Sequence, residues 1–228
     1  MEIRSQRFSD PDQFQRRGIR VSAVGHIALP SVPLSGESYC LGYLAGRAPI
    51  GSCSILAVSN VWNEEKGLKD VLELRRILPS DYAITVVGLS PDQIHGLPTG
   101  VTGLGRLSAD SLVSLYNAAD VFVNTTYADT FPTVNLEALA CGTPVVTYAT
   151  GGSPEAVDEK TGIVVPCGDV QAMADAIVRL KEVPLSRSDC RHRAIECFDK
   201  DKCFDKYIDL YESLIGHTIL PSGEFQEQ

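Results

Sequence analysis

The stretch Thr126–Gly142, T-Y-A-D-T-F-P-T-V-N-L-E-A-L-A-C-G, places one short helix between two apolar runs. The runs, Ala119 to Thr125 and Pro144 to Tyr148, read as strands buried on both faces. Pro132 suits the first turn of the helix, where a missing N–H is harmless, and Gly142 suits the position just past its end. The helix is therefore expected near Phe131 to Cys141. Val134, Leu136, Ala138, Leu139, Ala140 and Cys141 point in nearly every direction around it, so it should be sandwiched by protein. Within that apolar surround stands Glu137.

A carboxylate in such a place must be neutral, paired or hydrogen-bonded, because an unpaired buried charge is too unfavourable to keep. Ligand hydroxyls would satisfy Glu137. Asp129 lies in the turn leading into the same helix, where the N–H groups of Thr133 and Val134 and the positive end of the helix dipole favour a phosphate. A phosphate flanked by two carboxylates suggests a sugar nucleotide. The competing reading is structural: Glu137 forms a buried ion pair with Lys66 or Arg106, and Asp129 only caps the helix. The residues by themselves leave both open.

The spacing of Asp129 and Glu137, with Phe131 two after the first acid and E-A-L-A-C-G-T-P-V-V closing the run, closely resembles the donor-binding signature of retaining glycosyltransferases of family 4. The resemblance extends from about Ile55 to about Leu180. It implies the GT-B fold, in which two Rossmann-like domains face each other across a cleft, and it places this chain in the donor-binding half. By the same resemblance Asp129 and Lys66 are the catalytic residues, and Gly88, Arg106, Leu107, Thr130, Phe131, Thr133, Val134 and Glu137 bind the donor. Lys66-Gly67 matches the pair whose lysine reaches the donor diphosphate, and the main chain at Arg106 and Leu107 matches a loop that reads the nucleobase. Two positions depart from the pattern. Val61 stands where an arginine is common, leaving Arg106 to compensate, and Ala128 stands where a second acid is common.

The implied function is transfer from a nucleoside-diphosphate sugar to a sugar or lipid-linked acceptor, with no metal and no cofactor, in bacterial surface polysaccharide synthesis. Two alternatives remain. One is a nucleotide-sugar-binding module, truncated or stand-alone, that is inactive without a separate acceptor-domain subunit. The other is half of a sugar-nucleotide epimerase.

Length bears on this choice. A chain of 228 residues with 44% hydrophobic content can bury one good α/β core but not two full Rossmann-like domains. The net charge of −9 offers no footprint for nucleic acid, which needs clustered Lys and Arg. No charged start followed by an apolar run, and no apolar run of spanning length, is found, so a cytoplasmic protein is expected, with at most peripheral contact at the inner membrane face. The 7 cysteines show no C-x-x-C pair and read as reduced thiols. Cys190, His192, Cys197 and Cys203 lack the spacing of zinc ligands.

Along the chain, residues 1–52 are irregular and do not match the family, residues 53–216 form the Rossmann-like domain with C-terminal helices, and residues 217–228 form a tail. Strands are expected at Ile55 to Ser59, Ala83 to Val87, Val101 onward and Gly162 to Pro166, besides the two that flank the central helix. Ser108, Ser153 and Asp169 read as N-caps, with Pro154 following at the first helical position. Phe204, Tyr207, Tyr211 and Leu214 mark a stripe on a last helix. Strands alternating with helices give an α/β fold, a parallel sheet with helices on both faces. In its doubly wound order the first and fourth strands are neighbours at the switch point, which brings the Lys66 turn beside the Asp129 turn.

Overall fold

A computed structural model describes residues 51–216. The expected irregular N-terminal segment lies almost wholly, and the tail wholly, outside the described residues. Within them a parallel sheet of 6 strands has the order β3-β2-β1-β4-β5-β6. The strands are β1 (Cys53–Val58), β2 (Tyr82–Val87), β3 (Val101–Leu104), β4 (Val121–Asn124), β5 (Val145–Tyr148) and β6 (Gly162–Val165). The helices are α1 (Leu68–Ile77), α2 (Pro91–His95), α3 (Ala109–Ala118), α4 (Thr133–Ala140), α5 (Ser153–Ala156), α6 (Val170–Glu182), α7 (Arg187–Phe198) and α8 (Lys200–Gly216). This is the expected Rossmann-like sheet, and β1 pairs with β4 as the doubly wound order requires, Ile55 opposite Val121 and Leu56 opposite Phe122.

Successive strand side chains point to opposite faces, so each buried strand feeds two cores. Ile55, Ala57, Val121, Val123, Val146 and Tyr148 pack on one side with Val71 and Leu74 of α1 and Met173 and Ile177 of α6. Leu56, Phe122 and Val145 pack on the other with Leu115 and Tyr116 of α3, Leu136 and Leu139 of α4, and Cys190 and Ala194 of α7. The central helix is thus enclosed, as its all-round apolar pattern requires. Gly142 ends it at φ 76°, with the N–H groups of Gly142 and Thr143 donating to the Leu139 and Ala138 carbonyls, each at 2.8 Å. Arg191 of α7 donates to the Ala140 carbonyl at 2.7 Å, which satisfies a helix-end acceptor with a cation.

Three local expectations are corrected. Pro132 is the residue before the helix, at ψ 110°, because Asp129 has already taken the Phe131 N–H and formed the turn ahead of it. Gly152 caps α5 in place of Ser153, whose buried hydroxyl has no partner among the described residues. The Gly152 N–H is held by the Thr130 carbonyl at 2.9 Å, a tertiary contact that starts the helix one residue early. Helix α2 was not expected. Ser90 and Gln93 form its reciprocal capping box, and with 5 residues it is too short to show a periodic pattern. No helix among the described residues is long and apolar enough to cross a membrane.

Candidate functional site

Two turns at the carboxyl ends of β1 and β4 build the site, and backbone contacts lock them together. The Asn63 side chain accepts the Lys66 N–H at 3.0 Å, shaping the single 3-10 turn Glu64–Lys66. Gly67 follows at φ 69°, and a Cβ there would lie 2.2 Å from the Thr125 carbonyl oxygen, so only glycine fits. The Thr125 hydroxyl meets the Lys66 and Gly67 carbonyls, both at 3.0 Å. The Thr126 hydroxyl and the Tyr127 N–H both reach the Glu65 carbonyl, at 3.2 and 2.7 Å. Lys66 is thereby aimed at Asp129, and Nζ lies 2.6 Å from Oδ2. The other carboxylate oxygen of Asp129 accepts the Phe131 N–H at 3.1 Å.

Between the turns and α4 lies a crevice of about 290 Å³. Lys66 and Asp129 are its charged lining residues among those described, and Phe131, Thr133 and Val134 line it as well. No side chain caps α4, so its leading N–H groups, at Thr133 and Val134, are left for whatever enters. Trp62 closes one side. Its indole donates to the Val87 carbonyl at 2.8 Å, tying the β1 turn to the end of β2.

The remaining predicted residues stand apart from this lining. Gly88 uses its φ of 93° to pass the Ser59 carbonyl, 1.7 Å from where a Cβ would sit, so the close approach is to backbone. Arg106 is exposed and Leu107 half-buried on the loop after β3, the edge strand, beyond β1 and β2 from β4. Thr130 is exposed, and its carbonyl anchors the Gly152 turn.

Glu137 lies one turn along α4 from Val134 and is half-buried. Neither Lys66 nor Arg106 pairs with it, which corrects the ion-pair alternative: Lys66 is committed to Asp129 and Arg106 faces solvent. Asp129 does not cap the helix either, since the N–H it accepts belongs to Phe131, before α4 begins. The partner of Glu137 is the Tyr116 hydroxyl of α3, which donates to Oε2 at 3.0 Å. Burial pushes the Glu137 carboxyl above its ordinary range, and the hydrogen bond from Tyr116 opposes that push.

Residues 52–182 match the family described as glycosyl transferases group 1. The chain belongs to that family. As a member of the group 1 family it is 32% identical over 227 residues to the D-inositol 3-phosphate glycosyltransferase of Streptomyces bingchenggensis, covering 92% of this chain and 48% of that protein. It is 41% identical over 103 residues to the protein of that name from Mycobacteroides abscessus, covering 43% of this chain and 23% of that one. The chain spans less than half the length of these curated relatives. Among solved structures, sucrose-phosphate synthase from Thermosynechococcus elongatus superposes with a TM-score of 0.62 at 26% identity, covering 74% of this chain and 47% of that one. The Anabaena protein HepE in complex with UDP gives a TM-score of 0.66 at 23% identity, covering 78% and 53%, a likeness of fold.

Sequence reasoning missed several residues that shape this group 1 site. Asn124, at the end of β4, donates to Asn135 of α4 at 2.8 Å and accepts the Thr126 N–H at 3.1 Å, fixing the strand-to-helix turn from beneath. Two asparagines amid apolar runs signal a polar link, but they name no partner. Tyr116 reads as one more member of an apolar stripe. The signal available was that a buried phenol normally finds an acceptor.

Proposed function

We propose that this chain is the donor-sugar half of a retaining glycosyltransferase, binding a nucleoside-diphosphate sugar in the crevice between the β1 and β4 turns. One observation carries the reading: a lysine, a carboxylate and the uncapped start of a buried helix converge at the carboxyl ends of adjacent parallel strands. Lys66 and the Thr133 and Val134 N–H groups would take the diphosphate, Glu137 the ribose hydroxyls, and Asp129 the transferred sugar. Phe131 and Thr130 would border the sugar, and Gly88 after β2 and the Arg106–Leu107 loop after β3 would meet the base. The reading calls for no metal ion, since the lysine and helix dipole supply positive charge. Family membership supports it, as does the likeness of fold to HepE, solved with UDP and with UDP-glucose. A sugar or lipid-linked acceptor and a role in surface polysaccharide synthesis in the cytoplasm complete the proposal. Isothermal titration of folded protein with UDP and other nucleoside diphosphates should show binding. No heat and no thermal shift with any of them overturns it.

A second reading is a binding module that transfers no sugar unless a separate acceptor-domain subunit is present. The described residues comprise one Rossmann-like sheet, and the crevice is lined by its β1 and β4 turns and the start of α4. Transfer needs the acceptor held at the anomeric carbon with water excluded, and such positioning supplies roughly 7 to 11 kcal/mol in well-oriented cases. Purified chain incubated with sugar nucleotides and glycan or lipid-linked acceptors, followed by mass spectrometry, decides between them. Acceptor-dependent turnover favours the first reading.

A further inference from the structure

We propose that Tyr116 is a positioning residue for donor recognition: it holds the Glu137 carboxylate in the orientation that grips the ribose diol and makes the site select ribonucleotides. The inference rests on the proposed donor site and adds to it a residue from a different helix.

Each carboxylate oxygen can accept two hydrogen bonds. The Tyr116 hydroxyl occupies one place on Oε2, at 3.0 Å, and among the described residues no donor meets Oε1. Of the four acceptor places on Glu137, the described residues therefore fill one, and Oε1 is left for a ligand. An unrestrained glutamate on a helix surface samples several rotamers, and holding one of them draws on binding free energy. Tyr116 removes that loss in advance. Its side chain is 1% exposed, its ring lies 5.5 Å from that of Phe122 at 57°, and its carbonyl accepts the Thr143 hydroxyl, so the phenol cannot follow Glu137 if the carboxylate swings away. Burial holds the phenol well above its ordinary titration range, which keeps it a donor at neutral pH. The donated bond also favours the ionised carboxylate over the neutral acid that burial alone would promote. A pre-oriented carboxylate discriminates by geometry. A vicinal diol presents two donors to it, a 2′-deoxyribose only one.

Titration of wild type, Tyr116→Phe and Glu137→Gln with UDP and with 2′-deoxy-UDP tests this, with melting curves confirming that each variant is folded. Tyr116→Phe keeps the buried ring and removes only the hydroxyl. Wild type should prefer UDP over its deoxy analogue, and Tyr116→Phe should weaken UDP by about tenfold, the size of one hydrogen bond to a charged group, while leaving the deoxy compound within about twofold. If Tyr116→Phe weakens both equally, the tyrosine is merely structural and the proposal is overturned. If Glu137→Gln loses the preference and Tyr116→Phe retains it, the proposal is overturned and the donor-site reading stands. If wild type binds no UDP, or Glu137→Gln leaves the preference intact, the assignment of Glu137 to the ribose fails and the proposal with it.

Discussion

Lys66 and Asp129, 63 residues apart in sequence, form an ion pair with Nζ 2.6 Å from Oδ2 inside the crevice. Their side chains remain 30% and 21% exposed, so solvent screens the pair and its worth to stability is about 0 to 1 kcal/mol. Its consequence is for binding. In the proposed site Lys66 must turn from Asp129 toward phosphate, so the carboxylate competes with the ligand. Asp129→Asn should shift stability by no more than about 1 kcal/mol and tighten nucleoside-diphosphate binding several-fold. Lys66→Ala should weaken it by roughly tenfold or more, as for a lost charge-assisted hydrogen bond. Paired titrations and urea melts check both; weaker binding by Asp129→Asn shows that the carboxylate serves the ligand and does not compete with it.

Removing Glu137 need not leave the fold untouched. Reading the helix without its neighbours leads one to expect stability held or raised in Glu137→Ala, with about 2 to 3 kcal/mol lost from nucleotide binding. Tyr116 alters the first half of that expectation. With its acceptor gone, the nearly inaccessible phenol is left unpaired, at about 1 to 3 kcal/mol. Glu137→Ala should therefore lower the melting temperature as well as the affinity, and Glu137→Gln, which keeps an oxygen acceptor for Tyr116, should leave the melting temperature near neutral pH unlowered.

The raised Glu137 carboxyl predicts a pH signature. A folded-state pKa above the unfolded value means that the group's contribution to stability is fully present below its ordinary value of 4.5 and is lost as pH rises through the folded value. Glu137→Gln has no such titration. Its melting temperature relative to wild type should rise between pH 4.5 and neutrality and level off below 4.5. A difference that stays flat across this range rejects the perturbed carboxyl.

At Gly67 the backbone has φ 69° and the Thr125 carbonyl closes the space a side chain would need. Gly67→Ala should destabilise by at least about 1 to 2 kcal/mol, the price of a left-handed non-glycine residue, with the clash added. Because the same turn aims Lys66, nucleotide affinity should fall too. Unchanged urea midpoint and affinity would show that the two turns can separate without loss.

Thiol reactivity should divide by burial. Cys53 and Cys141 are pushed up to about 11, and Cys190 to about 12, chiefly by desolvation, whereas Cys167 and Cys197 are exposed. A thiol-specific reagent on folded protein, read by peptide mass mapping, should label Cys167 and Cys197 and spare the other three until denaturant is added. Early labelling of Cys190 would mean that α7 opens from the core.

Most of the sheet was legible because its signals are local. Each strand announces itself as an apolar run, and Gly142, Ser108 and Asp169 close or open helices through chemistry within a few residues. The strand order followed from handedness and switch-point rules applied to that alternation, and it already put Lys66 near Asp129. The chain by itself also showed that Glu137 required a partner.

Which partner was a matter for the tertiary structure. Tyr116 and Glu137 are 21 residues apart on different helices, and they meet only because α3 and α4 pack on the same face of the sheet. On sequence grounds Lys66 was a candidate partner for Glu137, and the contacts of Thr125, Thr126 and Tyr127 with the Glu65–Gly67 backbone set it against Asp129 instead. The start of α5 moved for a similar reason, through the grip of Thr130 on Gly152. Local propensity acts over a turn or two of chain. Buried polar groups are satisfied by whatever the fold brings within about 3 Å, and that depends on packing at long range.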